Sequence, residues 1–172
     1  MAPNRRLLNW PIPAYAHIPG KTPHPHSDPQ GHRHPTPDAE PSDPASWHRC
    51  PAYLHGIELF DMGFYWEAHE AWEKLWHAVG RRGPDADFVK GLIQLAVAGV
   101  KHLQEMPESM RWHASRAAEL IASCGQKEHR GLDVAKFQQL AQSIAQAGWP
   151  TEAVHLLAVA GALSGLHAPL PP

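Results

Sequence analysis

The chain has 172 residues, a formal charge of -2 at pH 7 and 14 histidines. That length carries one domain with a core, and 15 Lys and Arg set against 17 Asp and Glu leave no basic field to hold a phosphate backbone, so nucleic-acid binding is set aside. The two cysteines, Cys50 and Cys124, have neither a CxxC partner nor a Cys/His zinc spacing. The N-terminus lacks a secretory apolar core, and the most apolar stretch, 91–100, is half of a membrane span. The expectation is a cytoplasmic protein with no membrane partner.

Residues 1–48 hold eleven of the 18 prolines. Each proline removes a backbone donor and biases its predecessor away from helix, so this segment is expected to be a disordered or extended Pro/His-rich arm. It contains His24, His26, His32 and His34, imidazoles able to collect transition metals weakly or simply part of a biased linker. Organisation starts at Pro51, which suits a first helical turn, with Leu54, Ile57 and Phe60 at helical spacing and Gly63 as the break. A second helix runs from about Phe64 to Gly80, with Ala68, Trp72, Leu75 and Val79 on one stripe.

Pro84 and Asp85 open a third helix, apolar on nearly every face and so expected at the centre of a bundle, with Gly91 and Gly99 admitting close neighbours. A fourth helix is expected over 107–123, with Met110, Ala114, Ala117, Leu120 and Ile121 inward. Residues 127–133 read as a loop, after which Asp133 caps a fifth helix through Phe137, Leu140 and Ile144 to Gly148. The apolar segment 152–163 needs a partner, either the domain itself or a second chain in a homodimer. The expected organisation is all-α: a compact bundle of five or six helices over 49–166, behind an arm at 1–48 and ahead of a flexible tail at 167–172.

Chemistry concentrates in the second helix. Glu67, Glu70 and Glu73 recur every three residues, while His69, Glu73 and His77 recur every four on an overlapping stripe, flanked by Trp66, Trp72 and Trp76. On the third helix Lys90 and Gln94 fall near one face, and a buried Gln94 needs a partner, for which His69, Glu70 or Glu73 is suitably placed. Three readings stay open. One is a buried network of Trp66, Glu67, His69, Glu70, Glu73, Trp76, Lys90 and Gln94 that sets helix register. Another is a small-molecule or peptide pocket built from the same residues. The third is a metal-dependent hydrolase with His69, Glu73 and Glu70 as ligands to Zn, Mn or Fe and Glu70 or Glu73 as the catalytic base. HEAWE misses the HExxH zinc pattern by one residue, and a complete metal set needs another helix, with His55, Glu58 and His102 as candidates.

The motifs around this helix resemble those of the bacterial and archaeal helical family called domain of unknown function 309. The likeness rests on Leu59, Phe60, Asp61, Gly63 and Tyr65 at the first turn, on Trp66, Glu67, His69, Glu70, Glu73 and Trp76 along the helix, and on Lys90, Gly91, Leu92, Ile93 and Gln94 in the next. It spans roughly residues 51 to 125 and departs from the family pattern at the entrance to the fourth helix, EMPESMRWHASRAAEL. The resemblance implies a helical array and a shared site for the glutamates, His69 and Gln94. It implies no reaction.

Overall fold

Prolines open three of the five α-helices, and the chain turns with positive φ soon after each of the five. A computed structural model describes residues 7–161. Its helices are α1 (Pro51–Asp61), α2 (Tyr65–Ala78), α3 (Pro84–Leu103), α4 (Pro107–Ala122) and α5 (Val134–Ala147). Pro51, Pro84 and Pro107 each occupy a first turn, where a missing N–H breaks no helical bond. Gly63, Gly80, Glu105 and Gly125 take positive φ just beyond α1 to α4, and Asp133 caps α5 by accepting from the Lys136 amide at 3.0 Å. The end expected at 166 and the tail at 167–172 lie outside the described residues.

Helices adjacent in sequence are adjacent in space, with α3 packed against both α2 and α4, as an apolar central helix requires. A methyl group built on Gly91 would stand 2.8 Å from the Ile121 side chain, and one on Gly99 would stand 2.5 Å from the Tyr65 ring. Both glycines therefore allow close helix approach. Tyr53, Phe60, Trp72, Phe88 and Phe137 are the largest fully buried side chains, joined by Leu54, Ile57, Leu75 and Leu92. The inward residues expected on α4 are all buried.

One segment differs from the sequence expectation. The loop at 127–133 contains a minimal hairpin, β1 (Glu128–His129) paired antiparallel with β2 (Leu132–Asp133), whose turn residues Arg130 and Gly131 both have positive φ. Strands of two residues are too short to leave an alternation in the sequence. The last apolar segment forms a 3-10 turn at Leu156–Val159 and folds onto the body, with Val154 and Leu156 buried. Asp61, at the end of α1, accepts from the Leu156 amide at 2.5 Å and the Leu157 amide at 3.2 Å. Burial pushes its carboxyl up to about 7. No helix among the described residues is long and apolar enough to cross a membrane.

The arm is extended, as its prolines demand, but it is not free. Leu7, Leu8, Pro13, His17, Pro25, Pro37 and Ala39 are buried. A disordered or extended segment was expected from its prolines; the arm is extended and makes a series of polar contacts with the body. Lys21 donates to the Leu103 carbonyl at 2.9 Å, Gln104 to Pro19 at 3.0 Å, and Lys74 to Thr36 at 3.4 Å.

Candidate functional site

α1 and α2 present two carboxylates, Glu58 and Glu67, and the arm lies across both. Each is 3% exposed. Ionised carboxylates at that depth need hydrogen-bond donors, and the arm supplies them. Oε1 of Glu58 accepts from the backbone amides of Leu7 and Leu8, the latter at 3.0 Å, while Oε2 faces Nδ1 of His55 at 3.3 Å. Oε1 of Glu67 accepts from the His17 amide at 2.8 Å and from Nε2 of His32 at 2.9 Å.

Donor and acceptor accounting assigns the imidazole hydrogens. Nδ1 of His32 accepts from the His34 amide at 3.0 Å, so its hydrogen sits on Nε2 and points at Glu67. Nδ1 of His55 faces a carboxylate and carries the hydrogen there, which leaves Nε2 as an acceptor. Nε2 of His34 lies 3.1 Å from that nitrogen and donates to it. Burial, with help from the neighbouring His55 and His32 rings, pushes His34 down to about 4, so it is uncharged at neutral pH.

Along α2 the acids do not act as one group. A step of three residues falls short of a full turn by about 60°, so the row Glu67, Glu70, Glu73 drifts around the helix. Glu67 is covered by the arm. Glu70 sits at the rim, 3.2 Å from Nε2 of His26, and Glu73 is 44% exposed. His69 lies between them, with Nε2 3.7 Å from Glu73. Burial lowers its pKa, and the charges of Glu73 and Glu70 oppose that shift.

The remaining expected members are divided among other contacts. Trp66 forms the surface on which the arm rests, with the His17 ring edge-on at 4.8 Å and His24 at 5.8 Å. Trp76 carries the Lys90 ammonium over its face at 4.3 Å. The oxygen of Gln94 accepts from Nδ1 of His113 on α4 at 2.7 Å. The need for a partner was foreseen, but α4, one turn of chain further on, meets it at that oxygen in place of the α2 acids. His102 stacks on Trp149 at 5.2 Å. Trp72 is core, donating to the Tyr53 carbonyl at 3.3 Å. Burial raises the pKa of the Cys124 thiol.

His17, His32 and His34 are the participants that pattern reading of the helices missed. The signal for them lay in the arm itself, where prolines alternate with histidines at 23–26 and with His34 and Thr36 at 34–37 and hold the chain extended, opposite an acid-rich pair of helices. The space enclosed by His34, Thr36, His55, Glu67 and Glu70 has no room for a water molecule. The carboxylates beneath the arm are thus closed to substrate in this arrangement. Among the described residues, no group of three or more His, Cys, Asp or Glu side chains is placed to hold a metal ion.

Residues 53–112 match the model of the family described as Domain of unknown function (DUF309). No curated protein matches the chain. The matched stretch contains most of α1, all of α2 and α3 and the start of α4, and so includes Glu58, Glu67 and Gln94 but none of the arm.

Proposed function

Residues 53–112 of this chain match the family of domain of unknown function 309, and from that premise we propose that the chain is a binding and structural module whose α1–α2 face clasps an extended polypeptide. The chain's own arm is the occupant. The observation that carries this reading is the duplicated arrangement at Glu58 and Glu67, two buried carboxylates on neighbouring helices, each accepting arm backbone N–H groups together with an imidazole. Backbone amides supply attraction that any extended chain offers, and the histidines set the register. Two unpaired, buried thiols fit a reducing, cytoplasmic setting.

Hydrogen–deuterium exchange on the full chain tests the clasp. The Leu7, Leu8 and His17 amides exchange slowly in the native protein. They exchange faster in Glu58→Ala and Glu67→Ala, by about 10- to 100-fold if each loss removes on the order of 1.5–3 kcal/mol of charged hydrogen bonding. If these amides exchange freely in the unsubstituted chain, the reading is wrong.

A second reading, a metal-dependent hydrolase, is favoured by one observation: His69, Glu70 and Glu73 form the part of the cluster that reaches solvent. There His69 and one glutamate would hold Zn, Mn or Fe, with the other glutamate as base. Metal analysis of the wild type and His69→Ala checks it: equal metal content in the two proteins counts against these ligands.

A further inference from the structure

The contact between His34 and His55 has a geometry with a second use. Two imidazole nitrogens bound to one tetrahedral ion at zinc–nitrogen distances of about 2.0–2.1 Å stand roughly 3.3 Å apart, and the two Nε2 atoms here are 3.1 Å apart. His55 is oriented by a carboxylate on its far nitrogen, the support that metal-bound imidazoles ordinarily have. The second observation is independent. Oε2 of Glu67 is buried without a hydrogen-bond partner, and Glu67 lines the same closed space as His34 and His55.

Charge accounting makes the same point. His32 is the ion-pair partner found for Glu67 among the described residues, and its hydrogen assignment leaves it neutral. No Lys or Arg among those residues reaches Glu67. A buried carboxylate with one bare oxygen and no cation beside it calls for an ion. Water does not meet the need, since none fits.

We infer that His34, His55 and Glu67 bind one divalent transition-metal ion of the zinc type, which pins the arm to the body. The ion takes the place of the single hydrogen shared by the two imidazoles, and His34 carries its hydrogen on Nδ1 instead, so that both ligands remain neutral imidazoles. Glu67, which lines the same closed space, is the carboxylate that would complete the set, a set the side chains do not form in this arrangement. Glu70, on the rim of the same space, is the nearest further oxygen donor. The inference rests on the clasp reading, because His34 belongs to the arm and His55 and Glu67 to the helices beneath it.

The test is calorimetric titration of the full, metal-free chain with zinc chloride, paired with the visible absorption of the cobalt(II) form, whose intensity reports tetrahedral coordination. One ion per chain is expected. Affinity should fall by about 100-fold or more in His34→Ala and Glu67→Gln, neither of which removes an apolar core side chain. It should be unchanged in His69→Ala and in the double variant His24→Ala/His26→Ala, which removes exposed arm imidazoles. Absence of binding at one equivalent, or binding that survives His34→Ala, overturns the inference, as does binding lost in either control. Amide exchange of the metal-free protein separates the two ideas: slow Leu7, Leu8 and His17 amides without zinc binding refute the ion and leave the clasp standing, whereas fast amides in both metal-free and zinc-treated protein refute the clasp itself.

Discussion

In the body, Tyr53, Phe60, Trp72, Phe88 and Phe137 are fully buried against aliphatic side chains on five helices, while the arm meets that body through backbone amides, imidazoles and only a few apolar residues such as Leu7, Leu8 and Ala39. The first kind of contact is non-directional and scales with area removed from water; the second depends on individual donors and acceptors lying within hydrogen-bonding distance. Order therefore has two sources in this chain. Body and arm should respond differently to substitution and to pH.

The largest effect is expected in the body. Phe137 packs edge-on against Phe88 with ring centroids 5.8 Å apart, and Phe137→Ala should lower global stability by about 3–5 kcal/mol. Urea denaturation followed by circular dichroism measures this, and a loss under about 1 kcal/mol would mean that α5 contributes little to the core. The Glu58→Ala and Glu67→Ala variants supply the contrast, since their exchange effects should be concentrated in the arm.

Acid should act on the arm before the body. His34 is pushed down to about 4 where it is docked, against an ordinary value of 6.5. The undocked arm therefore takes up the proton first, and docking weakens as pH falls from 6.5 towards 4. Arm protection factors, corrected for the intrinsic pH dependence of exchange, should be lower at pH 5 than at pH 7 in the metal-free protein. His34→Gln should flatten that slope. A wild-type arm equally protected at both pH values would show that some other group controls docking.

The smallest effect is expected at Trp112, 63% exposed on α4 in a shallow groove shared with α5. Trp112→Ser should change stability by no more than about 0.5 kcal/mol. A larger loss in the same urea experiment would mean that this surface is covered in solution.

Much of the body was legible from residue order alone. Proline and glycine marked the helix ends, a period near 3.6 marked the inward stripes, and two glycines on an apolar helix marked close approaches at Tyr65 and Ile121. These are local signals, because backbone preference and side-chain direction are set within a turn or two of chain. The site was only half legible. Glu67, His69, Glu70 and Glu73 could be placed on one helix, and Gln94 could be recognised as a buried amide in need of a partner. Nothing within their own segments, however, announced that Glu67 would bond His17 and His32, residues 50 and 35 positions away, or that Gln94 would face His113.

By itself, then, the sequence determined the helices, their order and the apolar stripes that bring neighbours together, since these follow from short-range propensity and periodicity. Only the tertiary structure decided which carboxylates are covered and what covers them. A polar arm becomes ordered only where distant groups supply matching donors and acceptors, and a complementarity that joins residues 7–48 to α1 and α2 has no period to read.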